Sequence, residues 1–394
     1  MLISSECPTL DKLQAKTTGC LAGDDLAALE KHVNECRQCK IALDKLASDS
    51  TQPKLADDDS GLRVVKSRIK KKGDGTGSGP RPRDLDGSLS FLEKSDDPDH
   101  MGRIGSYEIV ELIGRGGMGV VLKGYEATLD RWVAIKVLSK QSAENDVARQ
   151  RFLREARAVA AVVHPNVVAV HAVAQTGGLP YIVMEHVPGI SLQERIDRDG
   201  PMSAEEIVRI GSQIADGLEA AHACGLVHRD IKPGNILLLH GEDRVKIVDF
   251  GLARESQDTS LTRTGIVTGT PEFMSPEQAQ AKPIDARTDL YSLGAVLFAL
   301  CSGGPPFSKP TPMETLHSVV QDPPPSIKSL NSRIPDRLVA VIDRLLAKRP
   351  EDRYASAAEV AKVLREQPSR SMPWILVGAA VVSAGAALVA YLVR

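Results

Sequence analysis

The spacing of apolar residues predicts a small helical unit at the start of the chain. Leu26, Leu29 and Val33 follow one another at intervals of three and four residues, which places them on one face of a helix. The helical pattern fades after residue 46, so we place the unit at residues 1–48.

The spacing of apolar residues changes after residue 106. Runs such as YEIVELIG and RWVAIKVLS predict β-strands joined by glycine-rich turns. Further along the pattern is mostly helical, with short strands expected around ILLL and VKIVDF. A strand-rich part followed by a helical part indicates an α+β fold. We expect a small lobe at 107–187 and a large lobe at 188–367.

A polar stretch separates these two units. Residues 49–106 contain KKKGDGTGSGPRPRD, a composition that predicts a flexible linker. The basic run RVVKSRIKKK within it suits lipid headgroups, although a solvated linker is the simpler interpretation. No internal repeat is visible in the sequence.

Residues 374–393 form an apolar segment without a charged side chain. A helix of this length matches the thickness of a bilayer core, and Trp374 and Tyr391 stand near its ends. A buried helix of a soluble domain is the alternative, but such a helix normally carries a polar stripe. Arg365 and Arg370 precede the segment, so the preceding domain is expected on the cytoplasmic side of the cell membrane, held by a single-pass C-terminal anchor.

Composition narrows the function classes only slightly. The 394 residues exceed one ordinary domain, and the net charge of −2 gives no general affinity for nucleic acid. The first residues lack a basic segment followed by an apolar one, so no secretory signal is expected. In a reducing compartment, clustered cysteines bind metal more often than they form disulfides.

Gly114, Gly116 and Gly119 form the spacing G-x-G-x-x-G. Dinucleotide-binding folds place the same spacing between a strand and a helix, so the motif alone is weak. Here the strand-like run VVLKGYE follows it, which favours a β-hairpin that presents backbone N–H groups to a triphosphate.

Lys136 follows in the string VAIK, on a predicted strand. A lysine there can reach the α- and β-phosphates of a nucleotide if a carboxylate holds it in place. Glu155, nineteen residues downstream on a predicted helix, is the candidate for that carboxylate.

The string VHRDIKPGNILL is the most specific in the sequence, and it resembles the catalytic loop of the bacterial eukaryotic-type protein serine/threonine kinases. The resemblance covers about 260 residues and implies the two-lobed protein kinase fold, with ATP as substrate and magnesium or manganese as cofactor. It implies that Asp230 orients the substrate hydroxyl, that Lys232 steadies the γ-phosphate, and that Asn235 and Asp249 bind the metal. Lys232 also supports serine and threonine over tyrosine as acceptors.

Other parts of the family pattern imply structural and adenine-binding roles. The segment YIVMEHVPG resembles the connection between the lobes, where the backbone of Glu185 and Val187 would contact adenine. By the same resemblance Glu277 pairs with Arg353, and Asp289 binds the catalytic-loop backbone. The remaining residues expected to line the ATP site are Ile113, Val121 and Ala134.

The segment after Asp249 contains the candidate regulatory residues. Thr262 and Thr264 lie eight and six residues before Thr270, a spacing that resembles the autophosphorylated pair of bacterial relatives. Arg229, next to Asp230, would pair with a phosphate there. Thr270 is expected to have a structural role, with its hydroxyl contacting Asp230 and Lys232. Phosphorylation in trans requires a second copy of the chain, and an anchor in the membrane would raise the effective concentration.

His32, Cys36 and Cys39 form H-x3-C-x2-C, and Cys7 or Cys20 is available as a fourth ligand of a tetrahedral zinc ion. The pattern resembles the zinc-finger helix of anti-sigma factors over about 40 residues. Cysteines that bind no metal, or that act as a redox switch, are the alternatives. If zinc binds, its role is structural or serves docking of a regulator on residues 1–48.

The sequence therefore leaves three functions to be considered. The first is an active membrane-tethered kinase of proteins, and the second is a non-catalytic scaffold with the kinase fold. The third is an anti-sigma-like regulator whose N-terminal unit is modulated by the kinase. Lys136, Asp230 and Asp249 are all present, which argues against the scaffold. The string GTPEFMSPEQ argues against kinases of small molecules, which lack it.

Overall fold

The computed structural model describes residues 29, 31–33, 36, 39–40, 89–117, 119–241, 243–250 and 270–366. Within these ranges the chain forms a sheet-rich small lobe and a helical large lobe.

The small lobe is built on an antiparallel sheet of six strands in the order β1-β2-β3-β4-β6-β5. Alternate residues of each strand point into one apolar core, as Val133, Ile135 and Val137 do on β4. The strands are β1 (Gly102–Ile104), β2 (Tyr107–Gly116), β3 (Gly119–Glu126), β4 (Arg131–Leu138), β5 (Val170–Thr176) and β6 (Leu179–Glu185).

Two helices follow β4, namely α1 (Lys140–Ala143) and α2 (Asp146–Ala160). Asn145 caps α2 by accepting hydrogen bonds from the first backbone N–H groups of the helix. Phe152 and Ala156 of α2 pack with Ile182 of the sheet in a second apolar cluster, which borders the cleft between the lobes.

The large lobe is assembled around α6, whose side chains are buried on nearly every face. A helix that is apolar all round belongs in the middle of a core, and the other helices pack about it. The helices are α3 (Leu192–Asp199), α4 (Ala204–Ala223), α5 (Pro276–Ala279), α6 (Arg287–Ser302), α7 (Pro312–Gln321), α8 (Ile327–Leu330), α9 (Asp336–Leu345) and α10 (Ala357–Arg365).

A small antiparallel sheet of the large lobe faces the cleft. Its strands are β7 (Gly189–Ser191), β8 (Ile236–Leu239) and β9 (Val245–Ile247), in that order. The catalytic loop leads into β8 and the predicted metal ligand Asp249 follows β9, so this sheet carries the chemical end of the cleft.

The predicted linker at 49–106 is too long at its C-terminal end. Residues 89–106 belong to the small lobe, because β1 pairs with β2 and Glu93 exchanges two backbone hydrogen bonds with Arg103. Leu89 and Ile104 are buried in the core of the sheet. Burial of these apolar side chains stabilises the folded conformation of this segment, whereas a purely polar linker has no apolar side chains to bury.

The flanking predictions fall largely outside the described residues. Residues 29, 31–33, 36 and 39–40 are the described part of the N-terminal unit, and Leu29, Val33 and Cys39 are buried. The predicted membrane span at 374–393 lies outside the description. In the part of the chain that is described, no helix combines the length and the apolar character needed to cross a bilayer.

Candidate active site

The glycine motif forms the tip of the β2–β3 hairpin. Gly116 pairs with Gly119 and Gly114 pairs with Val121 across the ladder. Gly119 has a φ of 147°, and a Cβ atom there would collide with the carbonyl oxygen of Val137, so only glycine fits. A Cβ at Gly114 or Gly116 would meet nothing within 4 Å. Those two glycines therefore face open space where phosphates can approach the backbone.

The residues predicted to bind adenine lie at the back of the cleft. Ala134, Met184 and Val187 belong to one apolar cluster, to which the large lobe adds Leu237 and Val248. The sequence argument missed Leu237 and Val248, although each lies next to a recognised motif.

The backbone groups of Glu185 and Val187 in the lobe connection differ in whether they are already hydrogen-bonded within the protein. The N–H of Glu185 donates to the carbonyl of Ala169 at 2.9 Å, so it is already used by the protein. Within the described residues, neither the N–H nor the carbonyl of Val187 has a hydrogen-bond partner. Ile113 is exposed and Val121 is half-buried on the strands above.

Lys136 is paired with Asp249 rather than with Glu155, which corrects the expected partner. The Lys136 Nζ lies 2.9 Å from Asp249 Oδ1, and the two side chains are half-buried. This pair joins β4 of the small lobe to the second residue after β9.

Glu155 lies instead in a small cavity of about 220 Å³ lined also by Arg154, Arg229 and Phe250. Its Oε2 atom is buried and has no hydrogen-bond partner among the residues that the structure describes. Burial raises the pKa of Glu155 to about 7, and the charges of Arg151, Arg229, Arg154 and Lys136 offset only part of that effect.

The catalytic loop brings Asp230, Lys232 and Asn235 into contact. Asp230 Oδ2 accepts a hydrogen bond from Lys232 Nζ at 2.8 Å and one from Asn235 Nδ2 at 3.1 Å. Asn235 Nδ2 also donates to the Asp230 carbonyl at 2.8 Å. The amide nitrogen of Asn235 is therefore turned toward Asp230, which leaves its amide oxygen as the group available for a metal ion.

Asp289 of α6 holds the backbone of this loop. Its carboxylate accepts hydrogen bonds from the N–H groups of His228 and Arg229, both at 2.8 Å, and the ring of His222 lies 2.8 Å away. Arg229 has a φ of 67°, a left-handed conformation that is strained for a residue with a side chain. The buried carboxylate stabilises that strained turn, from which Asp230 projects.

Asp249 has a left-handed backbone as well, with a φ of 55°. The Val248 N–H donates to the Asn235 carbonyl at 2.9 Å, which brings the two predicted metal ligands onto adjoining segments. A carboxylate and an amide oxygen are hard donors of the kind that magnesium and manganese prefer. The residues present fit such an ion.

Glu277 and Arg353 form a bidentate buried ion pair, with distances of 2.7 and 2.8 Å. Burial alone would raise the pKa of Glu277, but the hydrogen bonds and charge of Arg353 bring it below its ordinary value. The next residue, Gln278, donates to the Arg229 carbonyl at 2.8 Å. The pair thus anchors a segment that supports the catalytic loop, and the contact of Gln278 was not predicted.

The remaining predicted residues are only partly described. Thr262 and Thr264 lie outside the described residues. Thr270 precedes the short 3₁₀ helix Pro271–Phe273, and its hydroxyl makes no hydrogen bond to Asp230 or Lys232. The expected contact of Thr270 is therefore absent from this structure.

The ligand atoms of His32, Cys36 and Cys39 all lie within 4.8 Å of one another. The Cys39 Sγ is 3.4 Å from the His32 Nε2, and Cys39 is buried. Cys7 and Cys20, the two candidates for a fourth ligand, lie outside the described residues.

The burial of Glu155 predicts a pH dependence of stability. Its pKa is higher in the folded chain than the ordinary value of 4.5, so the unfolded chain releases the proton first as pH rises. Stability should fall between about pH 4.5 and pH 7 through this group. Glu155→Gln should therefore be more resistant to urea than the wild type at pH 8 and nearly equal to it at pH 5. Urea midpoints that differ by the same amount at both pH values would contradict this assignment.

Comparison with known proteins agrees with this geometry. The model of the protein kinase domain family matches residues 107–365. The serine/threonine-protein kinase PknB of Mycobacterium leprae is 40% identical over 259 residues, which cover 64% of this chain and 42% of PknB. The serine/threonine-protein kinase PksC of Streptomyces coelicolor is 40% identical over 263 residues, or 64% of this chain and 47% of PksC. The chain thus matches less than half the length of these relatives.

Solved structures show the same likeness. The crystal structure of the Mycobacterium tuberculosis PknI kinase domain superposes with a TM-score of 0.54 and 29% identity, covering 68% of this chain and 98% of that domain. The match of the family model agrees with the two lobes and with the catalytic loop, and the chain therefore belongs to the protein kinase domain family.

Proposed function

We propose that this chain transfers the γ-phosphate of ATP to serine and threonine hydroxyls of proteins. The observation that carries the proposal is the contact of Asp230 with Lys232 and Asn235 in one loop, which adjoins the segment whose Asp249 pairs with Lys136. An acid, two cations and a metal-binding oxygen set converge on one cleft, which is what phosphoryl transfer needs.

In the proposed reaction Asp230 accepts a hydrogen bond from the substrate hydroxyl and receives its proton. The hydroxyl oxygen forms a bond to the γ-phosphorus as the bond from that phosphorus to the bridging oxygen breaks, which releases ADP. Lys232 balances negative charge on the transferred group, and Lys136 exchanges Asp249 for the α- and β-phosphates. Magnesium or manganese, when bound at Asp249 and Asn235, neutralises phosphate charge.

A non-catalytic scaffold is the competing function for this fold. A scaffold has no need of a loop held in a strained turn by a buried carboxylate, whereas an enzyme uses that turn to aim Asp230. The contacts of Lys232 and Asn235 with Asp230 also favour catalysis over docking.

Asp230→Asn should lower the rate of phosphate transfer by roughly 10²- to 10⁴-fold, since it removes the proton acceptor while keeping the shape. Lys136→Met should reduce it as well by removing the charge that positions the phosphates. The assay is incorporation of labelled phosphate from ATP with magnesium into the chain itself and into a generic protein substrate. Equal incorporation by the wild type and both variants would refute the kinase function.

Regulation by autophosphorylation of Thr264, and next of Thr262, belongs to the same proposal. Arg229 lies beside Asp230 and is the cation that a phosphate in this segment would meet. In the assay above, Thr262→Ala with Thr264→Ala should incorporate less phosphate and turn over substrate more slowly. A double variant with wild-type turnover would exclude these sites. Two copies of the chain would meet for the reaction in trans.

We also propose that His32, Cys36 and Cys39 hold a structural zinc ion with one further cysteine. Their ligand atoms are close enough to converge on one ion, with bonds of about 2.0–2.3 Å, after small side-chain rotations. Four protein ligands leave no open position, so the ion would shape residues 1–48 for docking of a regulator. An anti-sigma-like role of that unit is the variant of this proposal in which the kinase modulates it.

Zinc content of the purified full chain tests the site. The wild type should contain one zinc per chain under reducing conditions, and His32→Ala and Cys39→Ser should lose it. His317→Ala, which removes an exposed histidine of the large lobe, should keep it and serves as the control. Cys7→Ser and Cys20→Ser distinguish the two candidates for the fourth ligand. A wild-type chain without zinc would overturn the proposal.

We propose further that residues 374–393 anchor the chain in the cell membrane, with the kinase domain in the cytoplasm. The segment has the length and the apolar composition of a spanning helix, and basic residues precede it. The full chain should float with phosphatidylcholine vesicles after reconstitution, and a variant without residues 374–393 should stay in the soluble fraction. Flotation of both, or of neither, would contradict the anchor.

A further inference from the structure

Lys246 is a nearly buried lysine for which the proposed reaction gives no role. It lies on β9 between Val245 and Ile247, and only 9% of its surface is exposed. A buried ammonium group must be paired to be tolerated. The Lys246 Nζ lies 2.8 Å from Glu185 Oε2, so the partner is the last residue of β6.

The position of Lys246 on its strand points it toward the ATP cleft. Lys246 stands opposite Leu237 in the β8–β9 ladder, and residues directly opposite in an antiparallel pair share a face. Leu237 packs in the cluster with Met184 and Val187 that forms the back of the cleft. The lysine stem therefore runs along the floor of the predicted adenine site, and its ammonium group reaches the connection between the lobes.

The ion pair also closes a ring that is otherwise formed by backbone hydrogen bonds. Glu185 N–H donates to the Ala169 carbonyl at 2.9 Å, and the Val168 N–H donates to the Ile247 carbonyl at 3.0 Å. Residues 168–169 thus lie between the lobe connection and β9, and the Lys246–Glu185 pair joins those two elements directly. In the part of the chain that is described, backbone hydrogen bonds hold one side of the junction, and the contact of Lys246 with Glu185 holds the other.

We propose that Lys246 is a positioning residue that sets the separation between the adenine-binding backbone of the lobe connection and the metal-binding Asp249. Glu185 is two residues before Val187, and Lys246 is three residues before Asp249. A ligand that contacts both ends, such as metal-bound ATP, depends on that separation. A ligand that contacts only the adenine end does not. This inference rests on the proposed function for the identity of the nucleotide.

The test compares two ligands on the full chain. Lys246→Met keeps the stem and removes the charge. We expect it to weaken binding of a magnesium complex of a non-hydrolysable ATP analogue by roughly 10- to 100-fold, a loss of the size that small misplacements cause. Binding of adenosine should change less than about twofold, because the adenine end keeps its backbone and apolar contacts. Isothermal titration measures both affinities without turnover, so the result does not depend on whether the chain is an active kinase.

Two further variants separate positioning from general stability. Exchange of the charges, with Lys246→Glu and Glu185→Lys together, should recover much of the lost affinity for the ATP analogue. Glu185→Gln, whose carboxylate is partly exposed, provides a milder break of the same pair if Lys246→Met does not fold. Lys328→Met removes an exposed ion pair of similar length, with Asp336 at 2.7 Å, and should alter neither affinity.

The proposal fails if the ratio of the two affinities is the same in Lys246→Met as in the wild type. An equal loss for both ligands would mean that the pair only stabilises the fold, and no loss would mean that it does nothing for the nucleotide. An exchanged pair that binds the ATP analogue no better than the single variants would also overturn it.

Discussion

The buried carboxylate of Asp289 is the contact on which the catalytic loop depends. A charged group with no exposed surface is costly unless donors surround it, and here two backbone N–H groups and the ring of His222 do so. The arrangement is possible because α6 is the buried central helix of the large lobe. Asp289 thus ties the backbone of His228 and Arg229 to the core. The position of that backbone in turn fixes the direction in which Asp230 projects.

A second set of contacts, also anchored in the core, supports the catalytic loop. Gln278 holds the Arg229 carbonyl, and the neighbouring Glu277 is fixed by the bidentate contact with Arg353. Arg353 donates in addition to three backbone carbonyls, so its charge is dispersed over several acceptors. Removal of either member would leave the other charge buried, which costs far more than the loss of a surface pair. The strained φ of Arg229 persists because the two sets of contacts hold the peptide groups on both sides of its Cα atom.

The sequence predicted the residues that lie together in one short motif. It predicted less well which side chains of distant segments form a pair. Asp230, Lys232 and Asn235 occupy one string, so the backbone alone brings them together. The partner of Lys136 could not be read in this way, because Glu155 and Asp249 are both carboxylates within its reach and only burial and distance decide between them. The burial of Leu89 and Ile104 was missed because two isolated apolar residues in a polar stretch make no periodic pattern. Lys246 was missed because a lysine on a strand normally points into solvent.

Two kinds of contact therefore meet in the cleft. The catalytic loop and β9 are tied to the core and to the lobe connection, whereas Lys136 and Asp249 form a pair that a bound nucleotide would have to separate. Asp289 holds the catalytic loop, and the ring around Glu185 and Lys246 joins the lobe connection to β9. Lys136 is instead neutralised by Asp249, one of the proposed metal ligands, while Glu155 is buried and its Oε2 has no hydrogen-bond partner among the described residues. In the proposed reaction, phosphates that enter the cleft compete with Asp249 for Lys136, while Glu155 of α2 lies in its own cavity beside Arg154 and Arg229. The charge that Lys136 offers to a nucleotide in the proposed reaction is thus limited by its contact with Asp249.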